Sequence, residues 1–556
     1  MALSSELVIH PAVDVLCLGS GGAGVSAAVA ARERGVSVAL VDKGLIGYGN
    51  TRISGGGLIK EDVPDDLYRD MLASGAGLAS PEVVRLLCER ALTAYTLPLA
   101  WGFLLECGAD GEIVLRKGGG HSKARLTSGR GLGRSLGNKL RRAVIKSGIA
   151  TYEEMTAFRL LLDDGRVAAA LAYELPTGNV HLFPAGAVVI ATGGGGQLYG
   201  AHTTNIRMST GDGYALALAV GAELIDMEQV QFHPFAAALP ASAVGTTSGE
   251  PSRVAGPRGV LRDGDGDVIL ENLSQRTRAE IANAIWREMR HGTPSPHGGV
   301  YLDLRGNWDA DGQPIPPWSP KGVRPVIGFG CGEAAAAGRE PFEVMPAAHT
   351  IMGGIQCDPA GRSAVPGLYA AGEARGGVHG ANRLANMGLA ELFILGEVVG
   401  ETAAQEAEAP TSMHRLAATA REDTARLAAA FGRVGSQYPI HVRDALADVM
   451  WTEMGGLRSE EGLSNALVSL ERLEGKLPDC GIPSGTSYNM AMLEFLELPM
   501  MLTVARAMVV SALARRESRG AHVREDYPAL GGAEWVKHVA VRQDSDGLVT
   551  SLAEVR

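Results

Sequence analysis

The sequence has 556 residues, 62 acidic against 51 basic, for a formal net charge of −11, a balance that excludes a general nucleic-acid binder. Hydrophobic residues make up 46% and aromatics 5%, with 74 glycines, which suits a turn-rich α/β chain of several domains. The six cysteines (17, 88, 107, 331, 357 and 480) form no CxxC pair and no ligand spacing, which predicts no metal site and a reducing, cytoplasmic setting.

The opening "MALSSELVIH" lacks the basic and apolar regions of a signal peptide. Residues 13–44 read as an apolar strand, a glycine turn, an Ala-rich helix and a second strand ending at Asp42. Gly19, Gly21 and Gly24 form GxGxxG in that turn: a tight bend, close backbone approach to a pyrophosphate, and helix–strand packing. Gly22 and Ala23 share the turn, and Asp42, followed by Lys43, is placed to accept from ribose hydroxyls. "GNTRISGGGL" (49–58) offers Asn50, Thr51, Ser54, Gly55, Gly56 and Gly57 to the same ligand, its glycines presenting bare backbone. "ATGGGG" (191–196) ends another strand with Ala191, Thr192, Gly193 and Gly194, and Asp212 opens the helical stretch 211–226. From about 236 to 344 the texture turns to Pro/Gly turns and charged hairpins, as in an inserted domain. "PGLYAAGEA" then restores the earlier pattern, with Gly372 and with Glu373 as a sugar or ribityl contact. Three glycine-edged strand ends plus 49–58 suit FAD better than NAD. Beyond 405, Ala/Leu/Arg/Glu segments run at helical spacing, and 492–514 reads as a buried or amphipathic helix pair, not a membrane span.

Four segments, "VQFHP" (230–234), "HTIMGGI" (349–355), "GLYAAGEARGGVHGANRLANMGLAEL" (367–392) and "RRESRGAHVREDYP" (515–528), resemble the succinate dehydrogenase, fumarate reductase and L-aspartate oxidase flavoproteins, in that family's order, over about residues 12–540. The resemblance implies an α/β fold: a Rossmann-like FAD-binding domain (1–235 and 345–404) interrupted by a capping domain (236–344), then a helical domain (405–515) and a tail (516–556). It implies hydride exchange between FAD and a small carboxylate, interconverting CH–CH and C=C. An L-aspartate oxidase-like activity, or a flavoprotein passing electrons to an iron–sulfur partner, are the alternatives.

By the same resemblance, Arg383 and His349 anchor one carboxylate and His233 the other, Arg supplying a bidentate fork. Arg276 handles the proton, with Arg278 its rival, because Thr277 stands where an acid commonly follows the family arginine. Glu250 and Arg253 supply the Glu-x-x-Arg relay, and His121, Ser122 and Arg125 belong to a loop over the substrate. Gly388 replaces a common serine at the helix start that, with Leu389, faces the flavin. Gly249, with Ser248 before it, stands where a hydroxyl residue usually precedes the relay acid, and "HPF" replaces "HPTG". Both departures touch the distal end of the substrate. Asn50 occupies the position of the histidine that links covalently to FAD in respiratory members, so FAD is expected to be held non-covalently.

Overall fold

The computed structural model describes residues 6–247, 249–320 and 330–556; Ser248 lies outside them. Short apolar runs make the strands of the main sheet. Val13–Leu18 and Val38–Val41 pair in parallel, and both are buried where they cross the core. The eleven-residue strand Val180–Ile190, buried throughout, serves two partners. Its second half runs parallel to Val13–Leu18 (Val188 opposite Leu16) and to Leu368–Ala370. Its first half pairs antiparallel with Arg166–Glu174, which continues the sheet into Met155–Asp163.

The helix Gly22–Glu33 lies against Met387–Glu406 through small residues, because a Cβ at Gly396 or Gly400 would collide with the backbone of Ala23 or Ala27. Both helices therefore begin beside the C-terminal ends of the parallel strands, the usual place for a ligand in such sheets.

A second, wholly antiparallel sheet of five strands runs in the order Val230–Ala237, Phe342–Ile351, Val300–Asp303, Val260–Arg262, Val268–Leu270. Its first strand begins inside "VQFHP", so His233 belongs to this sheet although the sequence suggested a start near 236. The helix Arg278–His291 packs on that strand and opens with a capping box: Thr277 Oγ1 accepts from Glu280 N–H while the Glu280 carboxylate accepts from Thr277 N–H.

The segment expected to form a helix pair is one 25-residue helix, Met490–Ala514, with Pro499 inside it. It is long and apolar enough to cross a membrane, but 67% of its most apolar window is buried against the rest of the protein. The tail returns as a hairpin, Lys537–Asp544 and Gly547–Glu554, whose first strand pairs with Leu224–Ile225.

Arg515 ties this return to the core. Fully buried, it donates to Glu228 (2.5 Å), Asp226 (3.1 Å) and Glu517 (3.1 Å). Arg515→Met would leave buried Glu228 without a cation, and Asp226 and Glu517 with only His538 and Arg519, a loss that typically costs about 3–5 kcal/mol. Thermal unfolding of the variant should show a clearly lower midpoint; an unchanged midpoint would contradict the role given to this network.

Candidate active site

Two clefts open along the strand ends. The first, about 910 Å³, runs over the glycine turn, with Gly19, Gly21, Asp42, Ala191 and Gly372 in its walls. The second, about 940 Å³, holds Ser54, Gly55, His349, Arg383 and Gly388. Asn50, Thr51, Glu373 and Leu392 line both, so the two form one long trough. A third cavity of about 350 Å³ lies beyond Arg383, between it and Glu250, Arg276 and Arg278.

The glycines divide by task. Gly19 has φ +102°, and a Cβ there would strike the Ala191 carbonyl; one at Gly24 would strike the carbonyl of Gly19. Gly194 makes room for the Glu373 carboxylate. Gly56 and Gly57 line neither cleft: they sit against the Leu132 backbone and the Asn386 amide, so protein packing explains them and only Gly55 reaches the trough. Asp42, expected to accept from ribose hydroxyls, lines the first cleft and accepts from Ser20 N–H (2.6 Å) and Gly44 N–H (2.7 Å), bracing the glycine turn. Lys43 and Asp212 pair with each other at the cleft wall, and Lys43 also reaches Glu497 (2.9 Å) on the long C-terminal helix. Burial pushes the Glu373 carboxyl up to about 7.

Asn50 uses its whole carboxamide. Its NH₂ donates to Asn205 and to Ser209 Oγ (2.9 Å), and its oxygen accepts from Ile206 N–H (2.9 Å). This lashes the 203–209 loop to the trough, and from that loop Thr204 Oγ1 meets His349 Nδ1 at 2.7 Å. His121, expected in a loop over the substrate, lies outside both clefts; it reaches the Ala385 carbonyl (3.0 Å) and Arg125, whose guanidinium is held by Glu61 and Asp70. Ser122 also binds Asp70 (2.8 Å). These loop residues brace one another.

Arg383 is the electrostatic centre. Its residue is 8% exposed, its Nε has no partner, and among the described residues its guanidinium makes no hydrogen bond or ion pair. Burial, then repulsion from Arg278, brings it down to about 10, so it remains charged at neutral pH. A Cβ at residue 388 would press on this guanidinium, which is why glycine fits there. Gly388 and Leu389 form the first turn of Met387–Glu406, so the positive end of that helix also faces the second cleft.

The structure places the two arginines of 276–278 differently. Arg276 donates outward to the Glu271 carbonyl (2.9 Å) and its side chain is 37% exposed at the cavity mouth. Arg278, first residue of the capped helix and 12% exposed, is paired with Glu250 and reaches Gln231 Oε1 at 3.4 Å. Burial opposes the Glu250 charge, but the Arg278 guanidinium outweighs it and holds the carboxyl below its usual range. Arg253, expected in a relay with Glu250, donates its backbone N–H to the Glu250 carbonyl (3.1 Å), but among the described residues its guanidinium makes no hydrogen bond or ion pair with that carboxylate.

Gln231 was missed. Fully buried, it takes Arg278 on its oxygen while its NH₂ donates to the Arg383 carbonyl (3.1 Å) and to Asn382 (3.3 Å). The signal was present in "VQFHP": Gln231 and His233 are two apart and so share one strand face. The His379–Glu391 pair (2.6 Å), on the second cleft's wall, had no such signal.

His233 accepts from Phe235 N–H at Nδ1 (3.2 Å), so its proton is on Nε2, which donates to the Gly249 carbonyl (3.0 Å). His233, expected as the distal anchor, thereby also holds the loop before Glu250. Its ring lies 5.5 Å from that of His349. Burial first, then Arg278, lowers His233 to about 3; burial, Arg383 and Arg278 lower His349 well below its usual value. Both imidazoles are neutral at neutral pH.

Residues 14–389 match the FAD binding domain and 443–555 the fumarate reductase flavoprotein C-terminal domain. The chain belongs to the fumarate reductase and succinate dehydrogenase flavoprotein family. It is 34% identical over 543 residues to one subunit of the fumarate reductase (CoM/CoB) of Methanothermobacter marburgensis, covering 95% of this chain and 97% of that one. It is 33% identical to the L-aspartate oxidase of Streptomyces coelicolor, covering 96% and 92%. The Mycobacterium smegmatis Sdh1 structure with UQ1 superposes with a TM-score of 0.87 at 31% identity, over 98% and 94% of the two chains. FAD is the cofactor of this fold, and the residues present fit it: a glycine cradle that a Cβ would fill, a buried unpartnered Thr192 hydroxyl in the first cleft, and an unpaired guanidinium in the second.

Because the native state keeps His233 neutral while the unfolded chain protonates near its ordinary pKa of about 6.5, its contribution is fully present above about pH 6.5 and is lost as pH falls toward 3. The slope approaches ~1.4 kcal/mol per pH unit. His233→Asn should therefore flatten the acid-side fall of the unfolding midpoint. Parallel pH curves for the two proteins would refute a buried neutral imidazole.

Proposed function

We propose that this flavoprotein interconverts CH–CH and C=C in a small dicarboxylate-like substrate. The observation that carries the reading is Arg383, a buried cation with no acid of its own, facing both the cofactor trough and the cavity that holds Arg278 and Glu250. When bound, FAD supplies hydride exchange with the substrate carbon. The chain's own residues do the rest. Arg383 takes a carboxylate on its fork, and neutral His349, steadied by Thr204, hydrogen-bonds beside it. In the reductive direction Arg278 gives the second carbon its proton and Glu250, already bonded to it, restores that proton; oxidation runs the reverse. Arginine is a poor acid in water, so this role needs the desolvated, pre-positioned guanidinium that burial, Glu250 and Gln231 provide. The proton role thus goes to Arg278 rather than Arg276.

FAD is held non-covalently in this reading, because Asn50 stands at the edge shared by both clefts with its carboxamide fully bonded and lacks a nucleophilic nitrogen. We further place the enzyme in the cytoplasm, consistent with cysteines that form no disulfide among the described residues, and give it a separate redox protein as electron partner, as the subunit names of its relatives suggest.

Steady-state turnover of fumarate with reduced viologen, and of succinate and L-aspartate with dye acceptors, tests the substrate class; fumarate or succinate should exceed L-aspartate. Turnover of L-aspartate alone would move the chain to the oxidases. Arg278→Ala should lose at least ~10²-fold in kcat with FAD still bound, while Arg276→Ala stays within a few-fold. The opposite ranking would return the proton role to Arg276. Acid precipitation should leave yellow supernatant and an unmodified protein mass; flavin fluorescence in the pellet would mean a covalent link.

A further inference from the structure

The helix Leu132–Ser147 carries Arg134, Lys139, Arg141, Arg142 and Lys146 and no acidic residue, in a chain of net charge −11. Among the described residues, only Arg141 of these five has an ion-pair partner, Glu153. Arg134, Arg142 and Lys146 are exposed, as is Arg130 just before the helix. The helix begins oddly. Leu132 is 55% exposed at φ +54°, a left-handed conformation that costs a bulky side chain energy and that the surroundings must hold in place.

What holds it is the cofactor segment. Gly56 packs on the Leu132 backbone and Gly133 on the carbonyls of Thr51, Arg52 and Ser54, too closely for any side chain. The helix start and residues 48–56 therefore form one face. On it, Ile53 is 56% and Tyr48 is 41% exposed, Arg52 lies over the Tyr48 ring (4.0 Å), and Leu104 is exposed beside Arg130. Ile53 and Gly55 line the second cleft and Tyr48 the first, so this face rims the cofactor trough where it meets solvent. Singly exposed apolar residues need no explanation, but a cluster around a redox site, flanked by uncompensated cations, marks a binding surface.

We propose that this face, Tyr48, Arg52, Ile53 and Leu132 with the basic helix beside them, docks an electron-transfer protein that presents an acidic surface. The inference rests on the reading of the chain as a flavoprotein that exchanges electrons with a separate partner. Charge sets the partner's character: the exposed cations Arg130, Arg134, Arg142 and Lys146, without ion-pair partners among the described residues, lie before and along the helix that starts at this rim and attract an acidic surface, and the apolar residues give close contact once it arrives. Two reduced one-electron carriers docking in turn would each lose one electron, together reducing one FAD by two electrons with protons taken from solvent.

Reduction of the FAD-loaded enzyme without substrate isolates this step from the carboxylate chemistry. With reduced plant-type ferredoxin, an acidic iron–sulfur protein, flavin bleaching in a stopped-flow cell should be fastest at low ionic strength and fall at least ~10-fold as salt is raised. The double variant Arg134→Glu/Arg142→Glu should lose at least ~10-fold at low salt and most of its salt dependence, while reduction by viologen radical, itself a small cation, does not slow. Leu132→Ser should slow the ferredoxin reaction at every salt concentration. Equal ferredoxin rates in wild type and the double variant, a salt-independent rate, no ferredoxin reduction at all, or faster reduction by a basic carrier would each overturn the proposal. Viologen-driven turnover of the carboxylates fails or succeeds separately, so loss of the substrate reading would be distinguishable from loss of the docking surface.

Discussion

A guanidinium taken out of water without a carboxylate governs this site. Removing such an ion from solvent costs several kcal/mol when nothing repays it. Arg383 carries that cost, and Arg278 adds like-charge repulsion to it. The carboxylates that feel Arg383, Glu373, Glu391 and Glu250, each have other attachments: the Ile351 N–H, His379 and Arg278. The local structure is arranged around that charge. Gly388 leaves it space, Gln231 holds its backbone, and a helix N-terminus adds further positive potential. Such a site is prepared for an anion.

The groups that would act on that anion come from two bodies. Arg383 belongs to the segment that follows the parallel sheet, whereas Arg278, Glu250 and His233 ride on the inserted five-stranded unit. His233 and His349 sit on neighbouring antiparallel strands of that unit, where His233 is opposite Ala347. The cavity between Arg383 and Arg278 is therefore a boundary between units, and its shape depends on how closely they meet.

Much of this was legible in the sequence because backbone demands are written in residue type. The glycine turn, the strand ends at 191 and 371, and the interruption after "VQFHP" announce themselves through glycine spacing and changes of texture. Side-chain direction was not legible. Arg276 and Arg278 are two residues apart, and only the capping box of Thr277 and Glu280 decides which begins the helix and turns inward. Gly55, Gly56 and Gly57 look alike in sequence, yet Leu132 and Asn386, distant in the chain, determine that two of them meet protein rather than ligand. His233 reads as an anchor from its motif, but its proton already belongs to the Gly249 carbonyl, a contact between segments that no local pattern encodes. The polar residues of Met490–Ala514 suggest a break, whereas Glu494 and Glu497 meet Arg207, Lys43 and Arg443 from other elements and the helix continues through them.

The pairing of Leu224–Ile225 with Ala540 and Val541 joins the middle of the chain to a point more than three hundred residues later. Asp226, just after that strand, is buried against Arg515 and His538, both made late in synthesis. Until those residues leave the ribosome, Asp226 is an unpaired carboxylate and the strand beside it lacks a neighbour, although "VQFHP" begins only four residues further on. The pairing that leads into that strand is thus a late product of translation. A nascent chain can form its glycine turn and parallel strands early, but a chain interrupted before residue 515 would lack the cation that Asp226 and Glu228 share just before the strand carrying Gln231 and His233. Neutralisation of these buried carboxylates, in this fold, waits on segments made long after them.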